Sequence, residues 1–179
     1  YHVGKERLRR EMLANAARRH GRPILYVNQV GGNDELVFDG GSLAIGKDGA
    51  VIARAAAFEE DAVQVDLAAT GAASLLVNGE VREEPSGELE WVYRALVCGT
   101  RGYLRKCGFS AAVIGLSGGI DSALTACIAV DALGAGNVLG VAMPSRYSSE
   151  HSKTDAEAQA RNLGMRFMTV PIEEPFSAF

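Results

Sequence analysis

The residues best suited to chemistry lie in one short run, Ser117-Gly118-Gly119-Ile120-Asp121-Ser122. The two glycines lack Cβ atoms, so the backbone can bend and its N–H groups can converge on an anion. A helix pattern begins directly after them, and a helix start adds unsatisfied N–H donors and the positive end of the helix dipole. Ser117 and Ser122 can donate hydroxyl hydrogens to phosphate oxygens. The run therefore predicts a phosphate-binding loop.

Asp121 gives this loop a further property, because a carboxylate beside an anion needs a cation between them. Mg²⁺ bound by Asp121 and bridging the phosphates of ATP meets that need. A purely structural alternative is that Asp121 is a helix N-cap and the two glycines form a tight strand-to-helix turn. The loop is not of the Walker type, because the chain contains no GxxxxGK[ST] motif.

Alternating elements surround the loop and position it. Apolar runs at 111–116, 137–143 and 165–170 are typical of buried strands, and residues 121–134 and about 153–163 are typical of helices. The second helix has a capping-box-like start in Ser152 with Asp155 and a terminal glycine, Gly164. This order predicts a parallel sheet covered on both faces, with ligands bound outside the carboxyl ends of its strands.

The first part of the chain predicts a different arrangement. Residues 5–20 form a helix pattern with Leu8, Met12, Leu13 and Ala16 near one face. Strand 24–30, a Gly-rich and acidic loop at 31–41, two strands flanking the 46–49 turn and strand 63–67 follow. This order could complete an α/β sandwich. The composition of residues 68–88 is typical of a linker, and a helix from 89 to about 106 opens a second domain. We expect this helix to turn Trp91, Ala95, Leu96 and Leu104 toward a core.

Composition narrows the function class. A net charge of -4 argues against a nucleic-acid binder, and 47% hydrophobic residues are typical of a globular protein. No apolar run is long enough for a membrane span, and no signal-peptide pattern is present. The three cysteines, Cys98, Cys107 and Cys127, form no CxxC pair, and we expect them to be buried structural thiols of a protein in a reducing cytoplasm. The three histidines, His2, His20 and His151, have no metal-ligand spacing.

The SGGIDS run resembles the loop of the N-type ATP pyrophosphatases, a group that includes GMP, asparagine, argininosuccinate and tRNA-lysidine synthetases. Two further segments narrow the resemblance. Residues 143–149 (MPSRYSS), followed by Ser152 and the DAEAQARNLGM helix, resemble NAD synthetases. YHVGKERLRREML, YVNQVGGNDELVFDGGS and GKDGAVI resemble the C-terminal part of a nitrilase-type glutaminase domain. A glutaminase domain followed by a synthetase domain is the order of the glutamine-dependent NAD synthetases.

That resemblance implies an α/β fold in which the C-terminal part of a nitrilase-like sandwich (1–67) precedes a linker (68–88). The first βαβαβ of a doubly wound parallel sheet (89–179) follows. It implies ATP-dependent amidation of nicotinic acid adenine dinucleotide through an adenylated intermediate, with ammonia from glutamine, in a cytoplasmic homo-oligomer. Lys5 matches a lysine that binds the glutamine α-carboxylate, although a solvated lysine is the alternative. The implied ATP site comprises Gly115, Leu116, Ser117, Gly118, Gly119, Ile120, Asp121, Ser122, Met143 and Arg146, with Asp121 on Mg²⁺.

The resemblance also implies what this chain lacks. The glutaminase Cys, Glu and catalytic Lys fall upstream of Lys5 in the family and a second acidic Mg²⁺ ligand falls downstream, so we expect a fragment cut at both ends, without catalytic residues and inactive alone. Arg146 could contact either a phosphate or the dinucleotide. A non-catalytic module that senses adenine nucleotides, and another SGGxDS-type amidotransferase, remain the alternative functions.

Overall fold

The computed structural model describes residues 1–70 and 73–178. They form two compact units, Tyr1–Gly99 and Thr100–Phe179. Residues 71–72 of the predicted linker and residue 179 of the predicted second domain lie outside the described residues. In the described part of the chain, no helix is long and apolar enough to span a membrane.

The first unit contains one helix and seven strands before it reaches the helix at the unit boundary. In chain order they are α1 (Lys5–His20), β1 (Ile24–Tyr26), β2 (Val30–Asn33), β3 (Leu36–Asp39), β4 (Leu43–Ile45), β5 (Val51–Arg54), β6 (Val65–Thr70) and β7 (Ala73–Gly79) in the part of the chain that the structure describes. Strands β1, β4 and β5 form a three-stranded antiparallel sheet in the order β1-β4-β5, and β2–β3 and β6–β7 are hairpins. Helix α1 covers the sheet and contributes Ala14 and Ala17 to a core with Leu43 and Ile45.

Helix α1 turns a different face to the core than its apolar pattern predicts. Leu8 and Met12 are 67% and 61% exposed. The buried stripe is instead made of Ala14 and Ala17, with Leu13 partly buried beside them. Small side chains let the helix approach the sheet closely, and this stripe carries less apolar volume than the outer one, so counting apolar residues selects the wrong side.

The predicted loop at 31–41 contains the antiparallel hairpin β2–β3. Asp34 makes the turn at φ 52, a left-handed conformation that aspartate tolerates better than most residues. Gly32 is required for another reason, since a Cβ placed there would lie 2.8 Å from the backbone oxygen of Gly99. The prediction of a loop was wrong because the glycines that permit this close approach resemble those of an irregular segment.

The predicted linker is also partly regular. Strand β6 continues from the predicted strand 63–67 to Thr70, and β7 pairs with it. The short apolar run at 75–77 explains the second strand, although Gly, Ala and Ser around it suggested a linker. Beyond β7, Glu84 is held by Arg10 at 2.9 Å and Arg54 at 2.7 Å. The division into 1–67, 68–88 and 89–179 remains a prediction.

Helix α2 (Glu88–Lys106) spans the boundary between the two units. Within the first unit, Trp91, Ala95 and Cys98 of α2 belong to a cluster that also contains Phe58. Tyr1 stacks on Trp91 at 6.4 Å between ring centroids, and Phe58 meets Trp91 edge-on at 5.4 Å. The inward prediction is confirmed for Trp91 and Ala95.

Three side chains that were predicted to be buried, those of Leu96, Cys107 and Cys127, are exposed or only partly buried. Leu96 is 47% exposed, although it was expected in the core. Cys98 is buried as expected, whereas Cys127 is only partly buried and Cys107 is exposed. Cys107 directly follows the last residue of α2, where the chain leaves the packed part of the helix.

The second unit alternates strands and helices. Its elements are β8 (Ala112–Gly115), α3 (Ile120–Leu133), a 3₁₀ turn (Ala135–Asn137), β9 (Val138–Ala142), α4 (Glu150–Asn162), β10 (Arg166–Thr169) and α5 (Glu173–Ala178). The three strands form a parallel sheet in the order β10-β9-β8. The core joins Leu116, Val138 and Met165 to alanines of both main helices, Ala126 and Ala129 from α3 and Ala156 and Ala160 from α4.

Both crossover helices of this unit lie on one face of the sheet. The chain passes from β8 to β9 to β10 across the sheet without reversing its direction. Because crossovers between parallel strands are right-handed, α3 and α4 then lie on the same side of the sheet. Gln159 Nε2 of α4 donates to the Ala123 carbonyl of α3 at 2.7 Å. On the opposite face, Val113 and Met168 are 69% and 46% exposed. Among the described residues of this unit, the predicted cover of both faces is therefore incomplete.

Helix α4 begins earlier than its sequence pattern predicts. Its N-cap is Ser149, whose side chain accepts the Ser152 N–H at 3.1 Å, so Ser152 is the residue being capped and not the cap. Residues 149 and 152 are both serines, so the sequence does not show which of them is the N-cap, and the backbone conformation decides it. Gly164 was predicted correctly as the terminal glycine, since it has φ 66 and donates its N–H to the Arg161 carbonyl.

Candidate nucleotide-binding site

The predicted phosphate loop joins the carboxyl end of β8 to the start of α3. Gly118 adopts φ 78, which favours glycine because other L-residues are strained there. Gly119 is the N-cap of α3 and supplies no side-chain cap. The first turn of α3 therefore presents backbone N–H groups without a capping side chain, the arrangement that suits an anion at a helix start.

Two serine hydroxyls hold the loop in shape. Ser117 Oγ accepts the Gly119 N–H at 3.2 Å, and Ser122 Oγ donates to the Gly119 carbonyl at 2.9 Å. Ser122 Oγ also accepts the Ser117 N–H at 3.3 Å, and the two hydroxyl oxygens are 3.1 Å apart. Ser117 is exposed and Ser122 is half-buried. The Ser117 hydroxyl can donate its hydrogen to a ligand, whereas the Ser122 hydroxyl would first have to release the Gly119 carbonyl.

Asp121 is the second residue of α3 and is exposed. It is not the N-cap, because Gly119 occupies that position, so the structural alternative for Asp121 is wrong. Its backbone carbonyl accepts the Thr125 hydroxyl at 2.8 Å. In the described part of the chain, no group of three or more His, Cys, Asp or Glu residues is arranged to hold a metal ion. Asp121 can supply one carboxylate ligand, and a cation here would need further ligands.

Other predicted ATP-binding residues occupy the same edge of the sheet. A Cβ at Gly115 would lie 3.5 Å from Met143 Cε, so the end of β8 and the residue after β9 are neighbours. Met143 is 52% and Ile120 80% exposed, which leaves two apolar side chains beside the loop. Leu116 differs from them, since it is 4% exposed and belongs to the core. Only its backbone is available to a ligand.

Arg146 is engaged within the unit. Its guanidinium forms an ion pair with Glu173, donates to Ser177 Oγ at 2.9 Å and lies over the Phe176 ring. Its backbone N–H donates to Glu173 Oε2 at 3.1 Å. Arg146 therefore faces α5, and contact with a nucleotide would require it to leave these partners.

Lys5 lies in the first unit, where it is the first residue of α1 and is exposed. The hairpin tip after β2, at 33–35, is exposed as well. A buried ion pair lies elsewhere in this unit. Arg9 Nη2 donates to both carboxylate oxygens of the buried Asp39 at 2.9 Å, and Asn28 Nδ2 donates to Oδ1 of the same carboxylate at 2.8 Å.

Sequence reasoning missed the contribution of α4 to the loop. A Cβ at Gly118 would lie 2.4 Å from the Ser152 carbonyl oxygen, so the loop backbone rests on the first turn of α4. Near this turn, a hydrogen bond from Lys153 at 2.7 Å lowers the pKa of Glu150 below its usual value. The serines at 149 and 152 were visible as helix-start residues. Their proximity to the glycine loop depends on the crossover and could not be read from spacing.

A parallel β-α-β unit with an uncapped helix start behind a glycine-serine loop defines a nucleotide-binding α/β domain. Comparison with known proteins narrows this class. The family model described as NAD synthase matches residues 92–179. The chain is 49% identical over 174 residues to the glutamine-dependent NAD(+) synthetase of Synechocystis sp., covering 96% of this chain and 30% of that protein. The same enzyme of Rhodobacter capsulatus is 50% identical, with 99% of this chain and 32% of that protein covered.

A solved structure agrees over the whole chain. The glutamine-dependent NAD+ synthetase from Acinetobacter baumannii, determined in complex with ADP, superposes with a TM-score of 0.90 at 38% identity and covers 100% of this chain and 34% of that one. The chain described here belongs to the glutamine-dependent NAD(+) synthetase family. It spans about a third of the length of the curated relatives it matches.

Proposed function

We propose that the second unit binds ATP and that the whole protein amidates nicotinic acid adenine dinucleotide to NAD, with glutamine as the nitrogen source. The observation that carries this proposal is the uncapped start of α3 behind a glycine at φ 78. The family supports the identity of the reaction, since the relatives are glutamine-dependent NAD(+) synthetases. We also propose that the sheet of the second unit is the first part of a doubly wound sheet.

The ATP pyrophosphate would lie against the first turn of α3. The backbone N–H groups at the start of α3 and the Ser117 hydroxyl would provide the donors, and the dipole of a 14-residue helix favours the negative charge. Gly115 and Met143 provide an apolar edge for the rest of the nucleotide. Arg146 would join the site only by exchanging Glu173 for an anionic ligand group, because its guanidinium and its N–H are both bound to that carboxylate.

Asp121 fits a magnesium site completed by substrate. Mg²⁺ is commonly held by one or two carboxylates together with phosphate oxygens and waters, and Asp121 offers one exposed carboxylate beside the loop. When bound there, the cation would screen the negative charge of the phosphates as pyrophosphate departs. Asp121 itself would keep the cation at the helix start and would not react.

The first unit would be the C-terminal part of a nitrilase-like glutaminase domain. In that domain, the Lys5 ammonium at the start of α1 would pair with the α-carboxylate of glutamine. We assign no catalytic residue to this chain, because the glutaminase nucleophile and its partners would come from preceding sequence. We further propose that the protein forms a homo-oligomer and is located in the cytoplasm. The proposed location agrees with the three cysteines, which form no disulfide in the structure.

The proposal is tested with the protein at its full natural length. It is incubated with nicotinic acid adenine dinucleotide, Mg-ATP and either glutamine or ammonium, and NAD, AMP and pyrophosphate are followed. NAD and AMP formed with both nitrogen sources support the proposal. NAD from ammonium alone refutes the glutaminase part. Nucleotide binding without any turnover would favour an ATP-sensing module, and pyrophosphate release with a different acceptor would favour another SGGxDS enzyme.

A further inference from the structure

A second helix supports the phosphate loop from behind. The first turn of α4 lies so close to Gly118 that an added Cβ would be 2.4 Å from the Ser152 oxygen and 2.7 Å from its Cα. Two turns further along α4, Gln159 Nε2 donates to the Ala123 carbonyl in the first turns of α3. The loop and the helix start behind it therefore contact α4 at two separate points.

The first turn of α4 keeps its shape through Ser149. As N-cap, Ser149 has an extended backbone, with φ -67 and ψ 152, and its Oγ accepts the Ser152 N–H at 3.1 Å. The two serine hydroxyl oxygens are also 2.8 Å apart. A helix start that loses its cap frays over its first turn. Ser152 is the capped residue and is also the residue that touches Gly118.

We propose that Ser149 is a positioning residue for the ATP loop. By capping α4 it fixes the Ser152 backbone, and that backbone sets where Gly118 and the following N–H groups can lie. Ser149 acts through these contacts and does not have to touch the nucleotide. The inference rests on the proposed function, because it assumes that the loop binds the phosphates of ATP.

The test compares three variants of the protein at its full natural length: Ser149→Ala, Ser149→Thr and Ser86→Ala. Ser149→Thr keeps a capping hydroxyl. Ser86→Ala is the matched control, because Ser86 donates its hydroxyl to Glu90 at 2.7 Å at the start of α2 and belongs to the first unit. Mg-ADP affinity is measured by calorimetry, and KM and kcat are measured separately for Mg-ATP and for the dinucleotide.

We expect Ser149→Ala to weaken Mg-ADP binding and to raise the KM for Mg-ATP by about three- to fivefold, the effect of one lost cap when it is transmitted fully to the loop. The KM for the dinucleotide and the rate of glutamine hydrolysis should not change. Ser149→Thr should restore the affinity, and Ser86→Ala should leave it at the wild-type value.

Wild-type Mg-ADP affinity in Ser149→Ala would overturn the inference. An equal loss of affinity for both substrates, with a lowered unfolding midpoint, would also overturn it, since that pattern reports general destabilisation. Hydrogen exchange of the loop amides in nucleotide-free protein separates this inference from the proposed function. If the wild-type protein binds no Mg-ADP, the proposed function fails, whereas faster loop exchange in Ser149→Ala than in Ser86→Ala still supports the positioning role.

Discussion

Replacement of Gly118 by alanine should disable the nucleotide site, because it adds a steric clash with α4 to the backbone strain. The residue has φ 78, where a non-glycine residue costs about 1–2 kcal/mol. The new Cβ would lie 2.4 Å from the Ser152 oxygen and 2.9 Å from its carbonyl carbon. Neither atom belongs to a flexible side chain, so relief requires the loop or α4 to move by about 1 Å, and such overpacking costs about 1–3 kcal/mol more.

Gly108→Ala is the matched control for this substitution. Gly108 has φ 80, but nothing lies within 4 Å of its Cβ position, so this variant carries the backbone strain without the contact. Unfolding in urea should show a larger loss of stability for Gly118→Ala than for Gly108→Ala. Calorimetry should show at least about a tenfold weaker Mg-ADP affinity only for Gly118→Ala, corresponding to about 1.4 kcal/mol. Identical stability and affinity in the two variants would refute the argument from close approach.

Three further changes test other sites. Asp121→Ala should abolish Mg-ATP-dependent adenylation while glutamine hydrolysis remains measurable, and NAD formation at the wild-type rate would refute the metal role. Arg9→Met should cost about 3–5 kcal/mol of stability, because it leaves the Asp39 carboxylate buried without its cation 2.9 Å away. Unchanged urea midpoints would contradict this. Burial raises the pKa of Glu6 above 4.5, with Glu84 adding to the rise, so the folded state holds this proton more tightly than the unfolded state. That stabilising contribution is complete below pH 4.5 and is lost as pH rises through the folded pKa. Glu6→Gln should therefore gain stability relative to wild type from acid to neutral pH, and parallel pH curves would exclude the effect.

The parts of the structure that depend on local sequence were predicted well. The strands and helices around the SGGIDS run were found because their apolar patterns are long and the glycine loop marks their junction. Gly164 was recognised as a helix terminus because a left-handed terminal residue is a local requirement. The class of site was inferred from the same local features, since a helix start behind glycines favours an anion, and it remains a prediction.

Features that depend on tertiary contact were not predicted. The core face of α1 does not follow from its apolar pattern, because Leu8 and Met12 are more apolar than the alanines that pack on the sheet. Hairpin β2–β3 was missed because Gly32 serves a close approach to Gly99, a residue 67 positions away in the sequence. The ion pair of Arg146 with Glu173 joins the segment after β9 to the start of α5, and the parallel pairing of β9 and β10 brings these two segments together.

The alanines of α3 and α4 have a consequence for how the phosphate loop can move. The buried positions of these helices are all alanine: Ala126, Ala129 and Ala132 in α3, and Ala156 and Ala160 in α4. Alanine has no side-chain rotamers, so burying these positions costs no rotamer entropy and leaves no alternative rotamer packings at the contact. A seam of larger side chains could shift by small increments as rotamers exchange. The fully buried positions of the two helices offer no such increments, so α3 and its loop should move together, and the geometry of the N–H groups should persist when no nucleotide is bound.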